Sequence, residues 1–263
     1  MPMPAALAAL IALVFMLALG NSPEHAYGSE QSPSAAAPHA GVVKSSADLK
    51  YYYEVTAKPV KITNVQVKHD GFVVAGNKLY YFKGESEVPV RNKTVQGIRF
   101  GRSGAAVDNY TTKLKIAAMK TAKKLRLYDT SVGKNKRLKK AFSYCCNKST
   151  IRYSTIYPTL DREGMHRVGY IMLTKHRGCC YGFASAFGAL AKEIGYNPKI
   201  VCLKRPHHRH GVCKIDGKYY DASYAHHKVK NKWSVFDISW KKEAKITHYS
   251  KKWIKKKFDL YEK

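Results

Sequence analysis

The chain has 263 residues, 45% of them hydrophobic, which suits a folded domain with a sizeable core and argues against a disordered or fibrous chain. Its 47 Lys and Arg outnumber 18 Asp and Glu, a formal net charge of +29. Such a field argues against cationic partners and favours polyanions: nucleic acid, anionic lipid, or the acidic polymers of a cell wall.

Residues 5–19 form an uncharged apolar run. At 15 residues it falls short of the roughly 20 needed to span a bilayer. It suits the hydrophobic region of a secretory signal, with small residues for cleavage at Ala18/Gly20 or Ala26/Gly28. Residues 1–28 are therefore expected to be a signal peptide or N-terminal anchor, although no Lys or Arg precedes the run. Residues 29–49, rich in Ser, Pro, Ala and Gly, read as a disordered linker. The protein is expected to be secreted or held at the cell surface.

Residues 50–108 read as a small β-hairpin region. Residues 60–67 alternate as a strand does, and Asp70-Gly71 is a hairpin-type turn. Phe72-Val73-Val74, Asn77 to Phe82 and Gly97 to Phe100 read as short strands split by Gly and Asn. The stretch Gly76 to Phe82 resembles the glycine-and-aromatic hairpins of bacterial cell-wall-binding repeats, which implies an anionic wall polymer as a partner.

Residues 109–175 show three helical stripes. Leu114, Ala117, Ala118, Ala122 and Leu125 form the first; Leu138, Ala141, Phe142 and Cys145 the second. Met165, Val168, Ile171 and Met172 form the third, after Asp161 as N-cap. The six cysteines fall at Cys145-Cys146, Cys179-Cys180, Cys202 and Cys213, with no Cys-x-x-Cys and no even spacing. Most are expected to be buried small hydrophobes.

The stretch Arg177-Gly178-Cys179-Cys180 leads into a fourth helical pattern, with Phe183, Ala184, Phe187, Leu190, Ala191 and Ile194 on one face and Gly195 as its stop. A cysteine at a helix start faces unpaired N–H groups and the positive end of the macrodipole, both of which favour thiolate. A nucleophile of this kind needs a base. Strand patterns follow at Lys199 to Leu203, His210 to Ile215, Lys218 to Ala222 and Trp233 to Ile238. Asp216-Gly217 is a two-residue hairpin signal. If Ile215 pairs with Lys218, Val212 lies opposite Asp221, and His210 and Asp221 share a face about 7–8 Å apart at Cα. The roles that follow are Cys180 as nucleophile, His210 as general base and acid, and Asp221 as the group that orients the imidazole. The Cys180 backbone N–H is the first oxyanion donor to consider. His207, His208 and His210 beside Cys202 and Cys213 fit no common zinc spacing, so neither metal nor cofactor is expected. The tail Lys251 to Phe258 reads as a last helix with a lysine-coated outside, or as a contact for an anionic surface.

Gly178-Cys179-Cys180-Tyr181-Gly182-Phe183-Ala184, the helix end at Ile194-Gly195-Tyr196, and His210 through Asp216-Gly217 to Asp221 resemble the transglutaminase-like core. The resemblance covers roughly residues 110–240. It places the nucleophile two residues after the glycine, at Cys180 rather than Cys179. It implies an α+β, papain-like fold in which a helix bearing the cysteine packs on an antiparallel sheet bearing His210 and Asp221. The catalytic domain would then span residues 109–263, behind the hairpin region. The family often has an aromatic residue two positions after the histidine, where this chain has Val212. The implied activity is hydrolysis of a peptide, isopeptide or amide bond in a protein or peptide substrate through a cysteine thioester. Transfer of the acyl group to an amine uses the same three residues. A non-enzymatic, basic wall-binding protein is the reading in which Cys180 is incidental. No specific nucleic acid is expected as a partner.

Overall fold

The computed structural model describes residues 71–84, 86, 88–205 and 208–261, together with the backbone at β1 (Val42–Val43) and β2 (Gln66–Val67), which pair in parallel. The expected leader, the linker apart from Val42–Val43, the rest of the strand read over residues 60–67, and Asp70 and His207 lie outside the described residues; at Val42–Val43 a strand pairing replaces the expected disorder.

Glycine and asparagine punctuate the hairpin region where the sequence places them. β3 (Gly71–Ala75) and β4 (Lys78–Phe82) form an antiparallel hairpin with Val73 opposite Tyr80. Gly76 makes the turn at φ +57°, a left-handed conformation that glycine adopts freely. β5 (Thr94–Val95) pairs with β6 (Ile98–Arg99). These strands bury Val73, Val74, Leu79, Tyr80, Phe82, Ile98 and Phe100 in a small core of their own. Met119 of α1 (Tyr110–Lys124) completes it, and the Lys115 ammonium lies 4.5 Å from the Phe72 ring centre.

The three helical stripes are all helices. Asn109 caps α1 by accepting the Thr112 N–H at 3.0 Å. α2 covers Lys134–Cys145. α3 (Arg162–Lys175) starts at Asp161, whose carboxylate accepts the Gly164 N–H at 2.6 Å. Between them β7 (Arg152–Tyr153) pairs in parallel with β8 (Arg177–Gly178). α4 (Cys180–Glu193) follows and ends before Gly195 at φ +90°.

The α4 pattern predicts one apolar face, yet every residue from Cys180 to Ala191 is buried. Helices α1, α2 and α3 pack on one side of it and a sheet on the other. A helix buried all round needs small residues where neighbours come close. A Cβ on Gly169 of α3 would lie 2.9 Å from the Ser185 Cβ, and one on Gly182 would lie 3.3 Å from the Val168 carbonyl oxygen. Phe183, Phe187 and Leu190 fill the space between, each worth about 1.5–3 kcal/mol of burial.

The sheet comprises β9 (Lys199–Arg205), β10 (His208–Ile215), β11 (Lys218–Tyr220) and β12 (Ile254–Asp259), in the order β11-β10-β9-β12, antiparallel throughout. Asp216 and Gly217 both take positive φ, +46° and +83°, as a type I′ turn requires, and Ile215 pairs with Lys218 as expected. The architecture is α+β.

Three expectations are corrected. The strand read to Ala222 stops at Tyr220, because Asp221 turns the chain into α5 (Ala222–His227) as its N-cap. The stretch read as a strand from Trp233 to Ile238 is a 3-10 turn at Lys232–Val235, opened by the Asn231 side chain and leaving one bridge between Ile238 and Tyr219. Of the tail read as a helix, Lys251–Trp253 form a single 3-10 turn and Ile254–Asp259 form strand β12, paired antiparallel with β9. All six cysteines are free and buried. Among the described residues no helix is long and apolar enough to cross a membrane.

Candidate active site

The two faces of β10 have different neighbours. A Cβ on Gly211 would lie 2.4 Å from the Tyr181 ring and 2.9 Å from the Tyr181 Cα. Gly188 of α4 meets Ile200 and Cys213. Gly211, Cys213 and Ile200 therefore face α4. Alternation turns His210, Val212, Tyr219 and Asp221 to the opposite face. That face is covered by α6 (Trp240–Thr247), where Trp240 meets Tyr219, and by Tyr249, whose ring stacks on His210 at 5.8 Å.

His210 and Asp221 come together on this outer face. The His210 Nε2 is 2.6 Å from the Asp221 Oδ2, and both groups are buried. The other Asp221 oxygen accepts the Tyr224 N–H at 2.9 Å, so the residue that orients the histidine also caps α5. With Nε2 given to the aspartate, Nδ1 is the ring nitrogen left for proton transfer.

Cys180 is the first residue of α4, where the sequence puts it, but its surroundings differ from expectation. The pair Cys213–Tyr220 ends the β10–β11 ladder, so the segment 209–211 has a strand neighbour on the β9 side alone. The Cys180 thiol reaches this open edge, 3.9 Å from the Arg209 carbonyl and within reach of the Gly211 N–H. These backbone groups flank His210 in the chain. No hydrogen bond joins the Cys180 sulfur to the His210 ring among the described residues.

The helix start acts on the neighbouring sulfur electrostatically, without a side-chain cap hydrogen bond. Cys179 is the N-cap of α4. Its thiol is pushed down to about 7, first by the hydrogen bond from the Cys180 thiol and then, against burial, by the N–H groups of Gly182 and Tyr181. Cys180 is pushed up correspondingly, by that same hydrogen bond and by burial, with the Gly211 N–H opposing. Cys179, read from sequence as packing, is thus part of the electrostatics of the site.

Sequence reasoning also missed Glu243, Gly211 and an aromatic rim. Tyr153 is brought beside Cys180 by the β7–β8 pairing and packs on Phe183 and His227. Tyr157 packs edge-on to Tyr181 beneath the Arg209 guanidinium, at 5.9 Å. Tyr153, Tyr157 and Arg209 form an aromatic and basic lip near the thiol, and Ile156, between the two tyrosines in the chain, is 55% exposed. Paired aromatics at Tyr153 and Tyr157 were the available signal. Glu243 lies in a short lysine-rich helix that carries no motif. His210, Asp221 and Glu243 offer donor atoms within 4.8 Å of one another, the spacing of metal ligands. The direct 2.6 Å hydrogen bond between two of them leaves no room for an ion between that pair.

No protein-family profile, curated protein or solved structure matches this chain.

Proposed function

We propose that the chain is a transglutaminase-like cysteine hydrolase on a papain-like core, exported to the cell surface. The observation that carries this reading is the buried His210–Asp221 pair at 2.6 Å, set on the strand segment that the Cys180 thiol touches at the start of α4. A buried imidazole held by a carboxylate, next to a sulfur at a helix start, has the parts that acyl transfer needs.

In this reading, imidazole nitrogen Nδ1 of His210 takes the Cys180 proton as the sulfur adds to the acyl carbon of an amide. The tetrahedral oxyanion collapses to a thioester, and the imidazolium returns the proton to the departing amine. Water then adds to the thioester with its proton going to His210, and the acid and free thiol are released. Asp221 holds Nε2–H throughout and offsets the imidazolium charge. The mechanism requires the Cys180 sulfur and the His210 ring, which no hydrogen bond joins in this structure, to come together when substrate binds. The lip of Tyr153, Tyr157 and Arg209 suits a peptide substrate.

Alkylation with iodoacetamide and peptide mapping tests the reading. The reading requires Cys180, activated by His210, to label faster near neutral pH than Cys179, the thiol that is pushed down, and His210→Ala to slow that labelling about a hundredfold or more. Equal, slow labelling of all six cysteines would sink it. Fast labelling at Cys179 alone would move the nucleophile by one residue. Incorporation of a fluorescent amine into a glutamine-bearing acceptor would replace hydrolysis by transamidation. Binding to isolated cell walls that fades as salt rises would support an electrostatic wall contact through the basic surface.

A further inference from the structure

Glu243 is fully buried at 0% exposure, in the first turn of α6. Neither of its carboxyl oxygens has a hydrogen-bond partner. Its Oε1 lies 3.9 Å from the His210 Nε2, too far for a hydrogen bond. A carboxylate buried without any donor is prohibitively unfavourable, so the group exists as the neutral acid. Its O–H then needs an acceptor, and the Asp221 carboxylate lies within 4.8 Å. Asp221 already accepts from His210 on one oxygen and from the Tyr224 amide on the other, and each oxygen keeps a further lone pair.

We propose that Glu243 is a positioning residue of the His210–Asp221 pair, donating a hydrogen bond from its carboxyl O–H to the Asp221 carboxylate and so fixing that carboxylate on the histidine. This rests on the reading of His210 as general base. Burial first, then the Asp221 charge, push Glu243 up to about 10. The titratable groups facing it are Asp221, His210 from β10, Tyr219 from β11 and the Tyr249 ring stacked on His210. Among the described residues no Lys or Arg pairs with it. The arrangement differs from a plain triad. The acid adds no second negative charge beside the imidazole, and it restrains the aspartate on a side where no backbone amide reaches.

The first test needs no reaction. Infrared spectra of the wild-type protein at neutral pH should show a protonated carboxyl band that Glu243→Gln removes. The His210 Nε2–H resonance should stay sharp in Glu243→Gln and broaden in Glu243→Leu. The second test is the alkylation rate of Cys180. Glu243→Leu should lower it at least about tenfold, and Glu243→Gln, which restores a neutral donor, should recover it to within about threefold. Absence of the band, or equal loss in both variants, would overturn the proposal. So would stoichiometric zinc in the purified wild type that Glu243→Gln loses, since an ion would then occupy the place of the proton. An unreactive Cys180 in the wild type would instead sink the enzyme reading, while the infrared band and the resonance still decide the Glu243–Asp221 contact.

Discussion

The inner and outer faces of the β9–β12 sheet are built on opposite principles. The inner face is apolar and close-packed: Gly211, Cys213 and Ile200 lie against α4, where one extra methyl would collide with Tyr181. The outer face encloses three ionisable side chains, His210, Asp221 and Glu243, all buried. The inner face sets where the Cys180 sulfur meets the strand. The outer face sets how the strand's histidine is held. Position and reactivity are thus assigned to different sides of one strand, and substitutions on the two sides should fail in different ways.

The largest effect is expected from Asp221→Asn. Asparagine keeps an oxygen for the Tyr224 N–H, so α5 stays capped, but it cannot hold the His210 Nε2–H as a carboxylate does. The Cys180-dependent rate should fall about a thousandfold or more with little change in Tm, read by labelling kinetics beside thermal melts. A matching loss of stability would blur the division between the faces. Gly211→Ala should do the reverse in kind. Its methyl meets Tyr181 backbone as well as ring, so about 2–3 kcal/mol of stability should be lost in urea unfolding, and labelling should change only as far as Cys180 is displaced.

A smaller effect should appear against pH. Glu243 titrates near its ordinary value of 4.5 when unfolded and near 10 when folded. The folded state therefore holds a proton that the unfolded state has lost between those values. Stability from this group is full below pH 4.5 and declines as the pH rises toward 10. The wild type should lose stability between pH 7 and 9 relative to Glu243→Gln, measured by urea unfolding at each pH. Parallel curves would mean that Glu243 is ionised in the fold. The smallest change lies away from both faces. Asp161→Ala removes the cap of α3 and should cost about 1 kcal/mol with no change in labelling.

Much of the inner side was legible because it rests on local signals. The periodicity of α1 to α4, the Asp161 cap and the Asp216-Gly217 turn each act over a few residues, and the turn alone sets the register that puts His210 and Asp221 on one face. Of the outer face the His210–Asp221 pair was legible, but the third acid was not. Glu243 reaches the pair from a separate helix 22 residues beyond Asp221 in the chain, and nothing in Trp240-Lys241-Lys242-Glu243 distinguishes it from a solvated acid. The exchange of roles between Cys179 and Cys180 was also hidden. Spacing places both at the helix start, but only the direction of each sulfur decides which one takes the amides. Residues 233–238 have strand-like composition, yet Asn231 opens a 3-10 turn there and Asp237 takes φ +56°. Local capping overrides the alternation.

The last strand carries a different message. β12 lies at the edge of the sheet, and its Lys255, Lys256 and Lys257 are exposed. An uncovered strand edge invites another chain to add to it, and a row of ammonium groups makes that addition repulsive between like molecules. Exposed lysines on an edge strand are one way in which such repulsion arises. Among the described residues, the sheet that buries three ionisable groups beneath one face thus carries a row of cations along its rim.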